Sequence, residues 1–217
     1  MISESEFKHK LELTKAFVFD WDGVFNDGGK DFELQSRFNE IDSMGTNMLR
    51  FAYYLKNKKL PLTAIISGEN NKAAFTFVKR ERFNNAYYKA YNKIDAAEHF
   101  CATHHIALNQ MTFVFDDVLD LKVAEKCGLR IFIGRKQSPL LNEYVIKNKL
   151  ADYITSDSNY AVRECCELMM GCYGVFDEVI KERIAYSEVY KSYLELRKSI
   201  VPQIYTGAEG KIVATTI

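Results

Sequence analysis

Net charge is the first thing this sequence lacks. Lys and Arg together number 29, as do Asp and Glu, so no global field draws the protein toward nucleic acid or a membrane surface. Long apolar runs are missing too, and nothing approaches the roughly 20 residues of a membrane span. The opening Met1-Ile2-Ser3-Glu4-Ser5-Glu6 carries neither the basic start nor the apolar core of a signal peptide. A cytoplasmic protein with no nucleic-acid or membrane partner is therefore expected. Cysteines are few and odd in number: Cys101, Cys127, Cys165, Cys166 and Cys172. Most fall in apolar helical patterns, which disfavours a disulfide framework and favours buried reduced thiols. No Cys-x-x-Cys or His-x-x-x-His spacing points to zinc, and the adjacent His104 and His105 cannot share one helix face. Internal repeats and low-complexity linkers are absent as well.

What is present is an alternation of strand and helix signals, the pattern of an α/β fold with a parallel sheet. At 217 residues the chain can bury one sizeable core. The central signal is Phe17-Val18-Phe19-Asp20-Trp21-Asp22-Gly23-Val24, an apolar run that ends in two carboxylates and a glycine. A buried parallel strand delivers catalytic groups to its C-terminal edge in this way. The turn signal Asn26-Asp27-Gly28-Gly29 and the imperfect alternation over 30–39 predict a β-hairpin flap beside it. A helix is expected from Ser43, acting as N-cap. Further strands are expected at 62–68, 86–88, 111–115, 130–134 and 152–155, with helices over 71–82, from Asn92, over 140–149 and from Tyr160. The spacing of Phe176, Val179, Ile180, Ile184, Tyr190, Tyr193 and Leu194 predicts one or two more helices up to Pro202. The tail from Thr206 through Glu209 and Gly210 reads as flexible or partner-dependent. The expected division is 1–175 as the main domain and 176–217 as a helical extension with a tail.

A lone Asp-x-Asp is more often a solvated strand end than a site. Likewise, Ser67 alone is a strand-end turn residue, and Lys93 alone an exposed cation at a helix start. Here they come in order with a second apolar strand that runs into Asp116 and Asp117, with Asp120 three residues on. In a doubly wound sheet strand C-termini converge, so these groups can surround one ligand. Phosphoryl transfer needs such a set: a nucleophile, an acid for the leaving oxygen, a divalent cation and donors around the phosphate. Crowded carboxylates repel unless a cation sits among them, and an oxygen-rich open site suits Mg²⁺.

Asp20-Trp21-Asp22-Gly23-Val24, Ser67, Lys93 and Asp116-Asp117-x-x-Asp120 together resemble the four motifs of the haloacid dehalogenase phosphatase superfamily, over roughly residues 15 to 175. Extension of the first motif to Asp27-Gly28, with Asp42-Ser43-Met44-Gly45 and the run Ala161 to Leu168, resembles the capless branch that contains 3-deoxy-D-manno-octulosonate 8-phosphate phosphatase. The resemblance implies a Rossmann-like, doubly wound sheet without a large cap domain, assembled as a homotetramer in which the flap and a neighbouring subunit close the site. It implies that Asp20 attacks phosphorus, that Asp22 serves as acid and then base, and that Lys93 neutralises charge. Ser67, with Gly68 and Glu69 beside it, would face the phosphate or substrate. Mg²⁺ would rest on Asp20, the Asp22 carbonyl and Asp116, with Asp117 and Asp120 one layer out.

Three departures from that branch bear on substrate. Glu69 stands where an arginine is usual, Phe115 replaces a glycine and is expected to narrow the pocket, and Asp157-Ser158-Asn159-Tyr160 replaces a glycine-rich segment. Arg163 and Lys72 are candidate substrate contacts, with an exposed helix-face role equally open. The expected function is a Mg²⁺-dependent phosphatase for a small phosphorylated metabolite, a sugar acid phosphate of octulosonate or nonulosonate type. The alternative from another class is a scaffold with this fold that works through oligomerisation or partner binding. A phosphomutase or phosphotransferase using the same aspartyl phosphate is a third reading, disfavoured by the lack of a cap to exclude water.

Overall fold

The computed structural model describes residues 1–208 and 210–215. Its first strand, β1 (Ala16–Phe19), is buried at every position. Phe17 and Phe19 enter the core on one sheet face, and Ala16 and Val18 the core on the other, as alternation along a strand requires. On one side lie β2 (Leu62–Ile66) and β3 (Asn85–Tyr88); on the other lie β4 (Met111–Phe115), β5 (Leu129–Phe132) and β6 (Tyr153–Ile154), all parallel. The chain thus winds outward from β1 through β2 and β3, then crosses back to β4. Phe19 aligns with Ile65 on one neighbour and Val114 on the other. Residues that follow β1, β2 and β4 leave the sheet together at the point where the winding direction reverses, which is where ligands of such sheets bind.

Helices α1 (Glu4–Leu13), α2 (Glu40–Asn57), α3 (Lys72–Glu81) and α7 (Ala161–Tyr173) cover one face; α4 (Lys93–Thr103), α5 (Leu121–Ala124) and α6 (Pro139–Lys147) cover the other. Local chemistry accounts for several ends. Ser3 caps α1 by accepting from the Glu6 amide, and Phe7 and Leu11 form its buried stripe. That short helix has no counterpart among the sequence expectations. Asn39, not Ser43, caps α2: its side chain accepts from the Asp42 amide at 2.8 Å, one turn earlier than expected. Ser43 instead donates to Glu81 from inside the helix. Helix α3 begins on the Asn71 cap, as its sequence pattern predicts.

Two expectations are corrected. The segment 20–39 is no hairpin; among the described residues it carries no strand. It is a looped excursion, held down by Trp21, Phe25 and Phe38 packed on Phe77 of α3. The turn at its tip closes when the Asp31 amide donates to the Gln35 carbonyl, with Leu34 at φ 58°. The tail is no loose end either. After α8 (Phe176–Ala185) and α9 (Glu188–Lys198), β7 (Gln203–Ala208) pairs in parallel with β3, and β8 (Lys211–Thr215) returns antiparallel at the sheet's edge. Ile204 is buried, and Tyr205 stacks on Tyr87 at 5.1 Å. Glu209, also in the expected tail, lies outside the described residues. Tyr190 and Tyr193 of α9 pack on Phe51 of α2, which fixes the extension to the main body.

Among the described residues no helix is long and apolar enough to cross a membrane. The cysteines are unpaired, four of them buried, with Cys172 half-buried.

Candidate active site

Asp20 follows β1 directly, and its amide donates to the Val114 carbonyl of β4, so the first acid is set by the sheet ladder itself. Lys93, at the start of α4, reaches under it. Its ammonium lies 2.6 Å from Oδ1 of Asp20 and 2.6 Å from Oδ1 of Asp120. Carboxylate oxygens of Asp20, Asp116 and Asp120 all lie within 4.8 Å of one another, and all three residues are buried. Asp120 owes its place to the 3-10 turn Val118–Asp120, where its Oδ2 accepts from the Asp117 amide.

The electrostatics follow from burial. Desolvation pushes the Asp20 carboxyl up to about 7 against the pull of Lys93, with Asp116 adding to the rise. It pushes Asp120 up to about 6, and it raises Asp116 as well. Burial pulls the Lys93 pKa down, but Asp20 and Asp120 together outweigh it and raise the pKa above its ordinary value.

Arg135, which no sequence signal singled out, is the other cation of the site. Its Nη1 donates to Oδ2 of Asp116 at 2.6 Å and its Nη2 to the Gly23 carbonyl at 2.6 Å. Three carboxylates thus face two cations. Oδ1 of Asp116 is buried without a hydrogen-bond partner, and the donor set is all oxygen. An orphaned anionic oxygen beside two more carboxylates fits a hard divalent cation such as Mg²⁺.

Other expected residues fall around this centre. Asp22 is half-buried and stands apart from the three-acid cluster. Its Oδ1 lies 2.7 Å from Lys30 and accepts from the Ser36 hydroxyl. Ser36 is buried and in turn accepts from Trp21 Nε1 at 3.0 Å and from the Asn71 side-chain amide. Lys30 and Ser36 carry no site signal in the sequence, and Asn71 only that of a helix start. Ser67 is buried at the end of β2, where its hydroxyl accepts from the Glu69 amide at 3.1 Å. Gly68 is half-buried and the Glu69 side chain is exposed. Asp117 is exposed; its carboxylate caps the turn through the Val118 amide.

Phe115 does not narrow a pocket. It is fully buried in the core between Phe113 and Phe132. Arg163 pairs with Glu167 one turn on in α7, and Lys72 is exposed near Glu33. The loop after Asp22 lines a cleft of about 260 Å³ with Arg37, Asn39 and the segment Ser158–Tyr160.

No family model matches the chain. It is 29% identical over 175 residues to the 3-deoxy-D-manno-octulosonate 8-phosphate phosphatase KdsC of Escherichia coli K12, covering 78% of this chain and 86% of that one. KdsC of Salmonella typhimurium matches to the same extent. Among solved structures, the 3-deoxy-D-manno-octulosonate 8-phosphate phosphatase of Moraxella catarrhalis, in complex with magnesium, phosphate and KDO, superposes with a TM-score of 0.66 at 25% identity. That match covers 82% of this chain and 97% of the other. The cobalt-bound phosphatase YrbI of Haemophilus influenzae superposes with a TM-score of 0.63 at 21% identity over 77% of this chain and 93% of that one, a likeness of fold.

Proposed function

We propose that the chain, similar to KdsC phosphatases in sequence and fold, is a phosphoric monoester hydrolase of the haloacid dehalogenase type that hydrolyses a sugar acid phosphate of octulosonate or nonulosonate type. The reaction depends on Mg²⁺ and passes through a phosphoryl group carried on Asp20. One observation carries the reading: Asp20, Asp116 and Asp120 gather around Lys93 at the reversal point of a doubly wound sheet, with an orphaned carboxylate oxygen among them.

Asp20, Asp116 and the Asp22 carbonyl would hold the Mg²⁺, which when bound supplies positive charge for the phosphoryl oxygens and lets the acids stay ionised. Asp20 attacks phosphorus, and the ester oxygen leaves as Asp22 gives it a proton. Asp22 then takes a proton from water, which attacks the aspartyl phosphate and regenerates Asp20. Lys93 neutralises Asp20 and the incoming phosphoryl charge; Ser67 donates its hydroxyl proton to a phosphoryl oxygen. Asp120 holds Lys93, and Asp117 secures the turn that carries Asp120. The sugar portion lies along the cleft beside Asn26, Arg37, Asn39 and Ser158.

We assign the chemistry to residues 1–175 and a stabilising role to 176–217. A homotetramer fits the exposed Phe32 and Leu34 at the tip of the excursion, apolar side chains that a neighbouring subunit would cover. Unpaired thiols fit a reducing, cytoplasmic setting.

Phosphate release from a panel of sugar acid phosphates, with Mg²⁺ and with chelator, tests the reading on wild type and Asp20→Asn. Metal-dependent turnover that falls at least about 10³-fold in the variant is expected, since the amide has no nucleophilic oxygen anion. Folded wild-type protein that releases no phosphate from any of them would refute the reading in favour of a scaffold.

A further inference from the structure

We infer that Arg135 is a positioning residue for the metal site: it holds the Asp116 carboxylate by one oxygen so that the other is presented to the cation, and it ties this to the loop that follows Asp22. The inference rests on the Mg²⁺-dependent reading above and adds a residue to it.

Arg135 enters the site from the C-terminal end of β5, three residues past its last paired residue, Phe132. Its root is fixed: the Arg135 carbonyl accepts from the Asn142 side chain at 2.7 Å and from the Ser138 amide at 3.0 Å. From there the guanidinium forks. One prong goes to Oδ2 of Asp116, the other to the carbonyl of Gly23, each at 2.6 Å. An unanchored carboxylate rotates freely about its last torsion. With Oδ2 taken by Arg135, the plane is set and Oδ1 is the oxygen left over, buried and unpartnered. The second prong acts on a different strand's loop. Gly23 immediately follows Asp22, so Arg135 braces the β1 and β4 halves of the site against each other.

Gly23 shows how tightly that brace is built in. A Cβ there would lie 2.1 Å from Oδ2 of Asp116 and 2.5 Å from Nη2 of Arg135, at a φ of +83° that already favours glycine. Only a residue without a side chain admits the fork. A lysine could neutralise Asp116, but as a single point charge it cannot make two fixed, divergent bonds.

A purely electrostatic role predicts the opposite sign. If Arg135 merely competed with the cation for Asp116, its removal would tighten Mg²⁺ binding. Orientation predicts weakening, of the size seen when groups that orient metal ligands are lost, about 10-fold or more.

Calorimetric Mg²⁺ titrations of wild type, Arg135→Gln and Arg135→Lys decide between them, alongside thermal melts and turnover as a function of Mg²⁺. Both variants are expected to stay folded, with Arg135→Gln melting lower because Asp116 loses its cation, to bind Mg²⁺ at least about 10-fold more weakly, and to regain much of their turnover at high Mg²⁺. Unchanged or tighter Mg²⁺ binding in Arg135→Gln, or full rescue by Arg135→Lys, would overturn the inference while leaving the phosphatase intact. Wild type that neither binds Mg²⁺ nor hydrolyses the substrate panel would overturn the parent reading, and this inference with it.

Discussion

Ser36 gives its single hydroxyl proton to Oδ1 of Asp22. Trp21 Nε1 and the Asn71 amide both donate to the Ser36 oxygen, filling its two lone pairs, and the remaining contact is with the carboxylate. Lys30 reaches the same Oδ1. One oxygen of the proposed acid and base is therefore held as an acceptor, which leaves Oδ2 to carry the working proton.

Ser36→Ala removes that constraint and orphans two buried donors. We expect turnover to fall about 10-fold, part of the roughly 10²–10⁴-fold that a positioned acid and base supplies, and stability to fall by about 1–3 kcal/mol. Denaturant titration and steady-state kinetics check this. A variant with wild-type turnover would show that Asp22 is oriented by other means.

Acid stability has a separate seat, away from the reaction. Asp152 is buried, and burial raises its pKa, yet bonds from Arg130 and Lys10 outweigh this and leave it below the ordinary value. A carboxyl with a depressed folded pKa stabilises above its unfolded pKa of about 4 and loses that contribution as pH falls through the folded value. Wild type should therefore lose stability below about pH 4, and Asp152→Asn should flatten that part of the profile. Asp152→Ala should cost about 3 kcal/mol near neutrality, since it leaves two cations facing a void. Unfolding curves from pH 3 to 7 measure both effects; an Asp152→Asn profile parallel to wild type would remove Asp152 as the cause.

Ending the chain at Pro202 strips β7 from β3 and uncovers Tyr87. We expect the melting temperature to fall by about 5–10 °C, at about 2–4 °C per kcal/mol for a chain of this size, and the protein to aggregate through the bared strand edge. Differential scanning calorimetry and light scattering test this. An unchanged melt would mean that the two strands contribute nothing to the main body.

The legible parts of this molecule are those fixed by short-range pattern. Apolar runs that end in acids gave away β1 and β4, and Asp20, Asp116 and Asp120 meet because parallel strands leave the sheet level with one another. Arg135 carries no such mark. An arginine after a strand is ordinary, and its meaning comes from where two other loops lie. The hairpin expected over 30–39 shows the reverse error: turn-forming residues and partial alternation imitate strands, but the Trp21 cluster pins the segment as a loop. Strands β7 and β8 leave little mark in the sequence because the alternation there is faint. Ile204 is the one described side chain in them that is buried, and Gly207 dilutes the signal.

The pairing of β7 with β3 joins Gln203 to Asn85, far across the sequence, and it sets an order of events during synthesis. All the acids, Lys93 and Arg135 are made before the helices that lead to β7. The groups of the candidate site therefore exist in the growing chain while one flank of the sheet still lacks its outer neighbour. Until residues 203–208 have emerged from the ribosome, the edge of β3 is an open template on which another polypeptide can add a strand. Such long-range closure also belongs to slow folding, so the edge of β3 stays unpaired for longer than a hairpin's partner would leave it.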